Sequence, residues 1–242
     1  MARLPKNEWQ STKFEMHKGR WRAGPSVALS SRLVVDLQLQ GYEAALTKFA
    51  RGRLIDLGCG NAPLRGIYAD LVDEYVWADW DSQGHILFEL DYVVDLNREL
   101  PFAEAQFDTI VLSDVLEHIA SPERLFAEVA RILRPGGHLI VGVPFLYWIH
   151  EPPHDHHRYT KYKLAHFGAT HGLDVVEIKE TGGAFDVWSD LTGKLLGVVW
   201  GPLAVVPYLS WLAAKKLRFV RRLNDRASGK FPLAYIAVYK RP

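Results

Sequence analysis

The densest chemistry in the chain lies in Phe145-Leu146-Tyr147-Trp148-Ile149-His150-Glu151-Pro152-Pro153-His154-Asp155-His156-His157-Arg158-Tyr159-Thr160, which holds four histidines and two acids between aromatic walls. Imidazole exchanges its proton near neutral pH, so such a loop can take a proton from a hydroxyl or an amine. His150 and His154 are the candidate bases, with Asp155 to orient the imidazole and Arg158 and Tyr159 to shape the site. His150 to His154 also spells H-E-x-x-H, a zinc-protease motif that needs both histidines on one helical face. Pro152 and Pro153 break such a helix, which excludes that chemistry. A second cluster is Asp114, Glu117 and His118, whose spacing shares a face if the segment is helical. His154 or His156 would complete an oxygen-and-nitrogen set for magnesium or a similar ion. The same two acids are equally at home in the first turn of a helix, and a divalent metal is the less favoured reading.

A different chemistry is written in Leu54-Ile55-Asp56-Leu57-Gly58-Cys59-Gly60-Asn61-Ala62-Pro63. An apolar run, an acid near its end and two glycines describe a buried strand, a sharp turn and then a short helix from Leu64 to Ala69. Such a corner binds ligands at the carboxyl edge of a parallel sheet, where backbone can lie against a nucleotide. A dinucleotide fingerprint needs G-x-G-x-x-G, but the third glycine position holds Pro63, which has no N–H to offer a pyrophosphate. A nicotinamide cofactor is therefore disfavoured. Asp79 follows at the distance of an acid that accepts both ribose hydroxyls, with Asp81 in reserve and Trp80 placed to stack on a base.

The elements that must hold these residues are readable from periodicity. Tyr75–Asp81 is the second strand, Phe107–Ser113 the fourth and His138–Val143 the fifth. Ser121-Pro122-Glu123 starts a helix with Leu125, Phe126, Val129, Ile132 and Leu133 on one face, stopped by Pro135-Gly136-Gly137. Lys161–Gly172 is a further helix, Leu173–Lys179 the sixth strand and Leu233–Tyr239 the closing one. Before the glycine turn, residues 1–50 form an irregular, solvated arm to Gly24 and a helix from about Arg32 to Ala50 that packs on the sheet or lids a cofactor.

The D-L-G-C-G stretch, Asp79, Asp95-Leu96 ahead of Leu100-Pro101-Phe102, the run Phe107-Asp108-Thr109-Ile110 to Leu116-Glu117-His118, and Arg131-Ile132-Leu133-Arg134-Pro135-Gly136-Gly137 stand in one order. Together they resemble the class I S-adenosylmethionine-dependent methyltransferases, of the kind that modify small molecules, quinones, glycans and lipids. The resemblance covers about Arg53 to Pro144 and implies the cofactor more firmly than the substrate. It implies a Rossmann-like α/β fold with a seven-stranded, mostly parallel sheet, helices on both faces and an antiparallel last strand. It implies that Asp56, Gly58, Gly60, Asn61, Asp79, Trp80, Asp95, Leu96 and Ser113 bind S-adenosylmethionine. Ala62, where the family has its third small residue, is a mild departure. The Asp114, Glu117 and His118 cluster resembles that of metal-dependent ribose methyltransferases and some quinone O-methyltransferases.

Composition bounds the rest. A chain of 242 residues that is 48% hydrophobic can bury one sizeable core, here residues 51–242 with an apolar helical insertion at about 185–230. A net charge of +1 argues against a protein that holds nucleic acid by charge. Cys59 is the one cysteine, and no apolar h-region follows Arg3 and Lys6, which points to a cytoplasmic protein. Within the insertion, Leu195–Ala214 carries no charge, and Lys215, Lys216, Arg218, Arg221, Arg222 and Arg226 follow, opposed by Asp225. That pattern suits peripheral docking of 195–226 on anionic lipid as well as a pair of buried helices. Three functions compete. The first is O-methylation of a small-molecule, glycan or lipid-linked acceptor with a loop histidine as base. The second is ribose methylation of RNA with a metal. The third is a non-catalytic cofactor-binding scaffold. Methylation of base amino groups is disfavoured because Ser113-Asp114-Val115 lacks the Asn/Asp-Pro-Pro-aromatic clamp.

Overall fold

The computed structural model describes residues 3–80 and 86–242, so Asp81 lies outside the described residues. The strand of the glycine motif, β3 (Arg53–Leu57), sits between two parallel neighbours, β4 (Glu74–Asp79) and β6 (Phe107–Ser113). A two-residue strand β5 (Tyr92–Val93) extends one side, and β7 (Leu133–Pro144), β9 (Ala234–Lys240) and β8 (Asp174–Thr181) extend the other. The order in the seven-stranded sheet is β5-β4-β3-β6-β7-β9-β8, with β9 antiparallel to both of its neighbours. This is the Rossmann-like sheet with a reversed last strand that the sequence implies.

Both faces of the central strands are apolar, as a sheet covered on two sides requires. Ile55, Ile110, Leu139 and Ala237 point to one face, where α3 (Pro122–Ile132) and α4 (Lys161–Thr170) bury Leu125, Phe126, Leu164 and Phe167. Leu54, Val111, Ile140 and Val238 point to the other, against Leu39, Tyr42 and Leu46 of α1 (Arg32–Phe49). α1 thus packs on the sheet. Pro122 occupies the first turn of α3, where a missing N–H costs no helix bond. β7 begins at Leu133, five residues before the expected His138, because Leu133 still pairs with Phe107 across an irregularity in register.

The N-terminal arm departs from the expectation of an irregular, solvated segment. β1 (Phe14–His17) and β2 (Arg20–Ala23) form an antiparallel hairpin, turned at Lys18 and Gly19, which both have positive φ. A two-residue turn of that hand matches the twist of paired strands. Phe14 and Ala23 join the core under α1, and the Trp21 ring lies so close to Gly66 of α2 (Arg65–Tyr68) that a Cβ there would meet it at 2.4 Å. Aromatic residues spread along a basic stretch hid an apolar anchor that only the hairpin assembles.

The insertion between β8 and β9 folds as α5 (Ala184–Val199), a tight turn at Gly201–Ala204, α6 (Val205–Ala214) and α7 (Arg218–Ala227). Pro202 falls in the turn, so the apolar run is not one straight helix. No helix among the described residues is long and apolar enough to cross a membrane.

α1 lies close over β7 at Gly142, where an added Cβ would fall 1.8 Å from the Tyr42 hydroxyl oxygen. Gly142→Ala should therefore destabilise the protein by about 1–3 kcal/mol through overpacking. Denaturant melts should show the loss, and Gly142→Ala combined with Tyr42→Ala should cost less than the two changes summed.

Candidate active site

Parallel pairing sends the carboxyl ends of β3, β4, β5, β6 and β7 to one edge of the sheet, and the chemistry foreseen in the sequence collects there. The turn after β3 is held by Gly58 N–H donating to the Ala78 carbonyl at 2.8 Å. Gly58 and Gly60 have φ of +71° and +55°, a region that costs an L residue strain. A Cβ on Gly58 would strike Val115 at 2.6 Å, whereas one on Gly60 would project into open space. Ala62 also adopts positive φ, a conformation that costs a residue with a Cβ some strain.

Asp56 is fully buried. One carboxylate oxygen accepts from the Tyr68 hydroxyl at 3.1 Å, and that hydroxyl accepts from the Trp77 indole N–H at 2.9 Å. The other oxygen has no protein partner. Burial raises the Asp56 pKa to about 7, against the bond from Tyr68 and with help from the nearby Asp79. At the end of β4, Asp79 accepts from Gly60 N–H at 2.6 Å and Trp80 N–H at 2.7 Å, one on each oxygen. Burial raises its pKa, although both backbone bonds oppose the shift. Asn61 braces the same turn: its side-chain oxygen accepts from Leu87 N–H and its carbonyl from the Trp9 indole of the arm. Further along the edge, Asp95 is exposed, caps its own turn through Asn97 N–H and pairs with Arg98 at 3.1 Å. Leu96 is buried behind it, and Ser113 is half-buried at the end of β6.

The turn after β6 differs from the helical face expected of Asp114, Glu117 and His118. Asp114 takes positive φ and accepts from Gln38 of α1 at 2.6 Å, so it leaves the other two. A tight helical turn at Leu116–His118 carries Glu117 inward to 0% exposure. His118 and His150 face it from two sides, their Nε2 atoms 3.7 Å and 3.6 Å from the same Glu117 oxygen. These contacts are ion-pair range and longer than a hydrogen bond. Among the described residues, Glu117, His118 and His150 form the grouping compact enough for a metal ion. Burial raises the Glu117 pKa, partly countered by His150. Burial by itself would lower the pKa of His150, but the Glu117 carboxylate outweighs it and the net shift is upward.

The loop after β7 is non-helical, as its prolines require, and Glu117 also organises its backbone: its carbonyl accepts from His156 N–H and His157 N–H. The loop's two candidate bases occupy different settings. Asp155 is gripped by Arg158 through both oxygens and accepts from His150 N–H, with His150 Nδ1 3.3 Å away. The guanidinium beside it holds the Asp155 carboxyl well below the usual range. The geometry thus gives Asp155 to His150 and Arg158, and not to His154. The His154 ring is exposed and meets Trp80 edge-on at 5.3 Å between centroids. Tyr159 is buried, its hydroxyl donating to the Leu116 carbonyl. Sequence reasoning missed Gln38, Tyr68 and Trp77 as supports of these acids, and no local spacing announces them.

The sheet order, the glycine turn beside an acid-ended strand and the histidine loop across the edge form the kind of corner at which open α/β sheets bind ligands. Residues 55–141 match the family model described as Methyltransferase domain, so this segment of the chain carries a class I S-adenosylmethionine-dependent methyltransferase domain. It is 26% identical over 166 residues to a ubiquinone biosynthesis O-methyltransferase of Cupriavidus pinatubonensis, covering 57% of this chain and 67% of that one. It is 29% identical over 128 residues to a demethylmenaquinone methyltransferase of Renibacterium salmoninarum, covering 50% and 46%. The chain spans about half to two thirds of the curated relatives it matches. Its fold is shared with a methyltransferase from Mesorhizobium loti, at a TM-score of 0.53 and 16% identity over 86% of this chain and 100% of that chain. It is shared equally with the cyclase SpnF, at 0.55 and 18% over 86% and 82%. The fold alone thus leaves the reaction open.

The site fits the donor: a glycine turn opens to one side at Gly60, and a buried carboxylate oxygen of Asp56 lacks a protein partner. The raised pKa of Asp56 has a measurable consequence. Its protonated form favours the fold, so this contribution is full below the ordinary value of 3.8 and fades as pH rises through about 7. Between about pH 5 and about pH 8 the parent should lose more stability than Asp56→Asn, as denaturant melts at the two pH values will show.

Proposed function

We propose that this protein methylates an oxygen of a small-molecule acceptor of quinone, glycan-precursor or lipid-linked type, with His154 as the base. When bound, S-adenosylmethionine supplies an electrophilic methyl group on a sulfonium. Asp79 then receives the ribose hydroxyls on the lone pairs its backbone bonds leave free, and Asp95 with the Leu96 backbone receives the adenine edge. Asn61 and Ser113 border the same edge. Asp56 offers its unpartnered oxygen to the amino end of the donor.

The observation that carries the reading is the Trp80–His154 contact. Trp80 follows the ribose acid directly, and His154 comes from the acceptor loop, so donor and base sides meet there. His150 has a different part. Its two nitrogens face Glu117 and Asp155, and its raised pKa favours imidazolium, which is a poor base. It ties the loop to the turn after β6. The oxygen acceptor is supported by the relatives, one of which is named for quinone O-methylation. The ribose-methylation reading loses its four-residue cluster, because Asp114 points to Gln38.

The test is calorimetry with S-adenosylmethionine beside a labelled-methyl screen of quinone, lipid and glycan extracts. Asp79→Ala should abolish donor binding. His154→Ala should keep donor affinity and lose about 10²–10⁴-fold in turnover. Full turnover in His154→Ala would remove it as the base, and no donor binding in the parent would remove the reading altogether.

A further inference from the structure

The helix α5 is inside out. Its charged residues point into the protein: Asp190 and Lys194 form a buried ion pair, with Lys194 only 3% exposed. Asp186 is buried as well and accepts from Gly183 N–H, the Trp211 indole and the Asn224 amide. The outward positions are apolar, with Val198 at 75%, Val199 at 73% and the adjoining Trp200 at 62% exposure, and Trp188, Leu191 and Leu195 exposed too. Water rewards the opposite arrangement, since burying apolar surface is favourable and burying charge is costly. Such a face needs an apolar cover.

The neighbouring helix says which cover. α7 packs on α5 and carries Arg218, Arg221, Arg222 and Arg226, all exposed, with Phe219 and Leu223 also exposed. None of these four arginines has an ion-pair partner among the described residues. A helix with an apolar side and a basic polar side lies in the interface of an anionic membrane. A symmetric second copy fits less well, because a two-fold contact sets the same patch against itself and would bring arginine clusters together. No helix here is long enough to span, so the protein would lie on the bilayer.

We propose that α5, α6 and α7 form a docking surface for anionic phospholipid, with the outer face of α5 in the acyl boundary and the α7 arginines on the headgroups. The surface is joined to the acceptor loop: the Lys194 ammonium stands 4.1 Å from the centre of the Tyr147 ring and 5.5 Å from that of Trp148. An acceptor drawn from the membrane would emerge beside the histidines. That last step rests on the methyl-transfer reading, whereas docking does not.

The test is co-sedimentation of the whole protein with phosphatidylglycerol vesicles, without donor or acceptor, against phosphatidylcholine vesicles. Binding should require phosphatidylglycerol and weaken with salt. Val198→Glu with Val199→Glu should abolish it, and Arg218→Gln with Arg222→Gln and Arg226→Gln should weaken it roughly a hundredfold, at about fivefold per arginine. Thermal melts matching the parent would show that both variants fold. No pelleting of the parent at low salt, equal pelleting of either variant, or a solution dimer that Val198→Glu with Val199→Glu converts to monomer would each overturn the proposal. Vesicle binding by a protein that shows no calorimetric binding of S-adenosylmethionine would sink the reaction reading and leave this one standing.

Discussion

The parallel pairing of β3 with β4 and β6 is the constraint on which the site depends. In a parallel ladder every strand ends on the same edge, so Leu57 beside Ala78 places the glycine turn against Asp79 without any further device. β5 pairs with Ala78 and Asp79 in turn, which brings Asp95 to the same edge. The bonds from Gly58 N–H to Ala78 and from Gly60 N–H to Asp79 then lock the turn to its neighbour. A shift of one residue in that register would turn Asp56 away from Tyr68 and set every apolar side chain on the wrong face.

Across the edge, Glu117 performs the corresponding task for the histidine loop. Its carboxylate draws His118 and His150 together, and its carbonyl accepts two backbone donors of the histidine loop. A buried carboxylate without close hydrogen bonds is costly to desolvate, and its raised pKa is the sign of that cost. Two imidazoles within ion-pair reach offset it only in part. The loop is thereby divided: His150 belongs to the buried, charged side with Asp155 and Arg158, and His154 faces outward to Trp80.

Different parts of this arrangement were legible to different depths. The motif order from Arg53 to Pro144 sufficed for the fold, because a buried strand, a glycine turn and an apolar helix face each leave a local pattern. The arm did not read correctly: Phe14, Trp21 and Ala23 find their apolar partners on α1 and α2, and no spacing within the arm shows it. The insertion read as either a lipid-docking segment or a pair of buried helices, and the fold buries one part of it and exposes another. Trp211 is buried on Asp186, while Trp200 is exposed.

The amino-acid order alone determined which residues could do chemistry and which edge they would share, since strand, turn and acid follow one another along the chain. Which histidine meets which acid was decided only by the folded chain. Asp155 is adjacent to His154 in the sequence, yet Arg158 and the turn of the loop swing its carboxylate to His150. Asp114 lies three residues from Glu117 and yet faces Gln38, seventy-six residues away. Side-chain direction depends on backbone torsion and on neighbours from distant segments, and neither is written in local spacing.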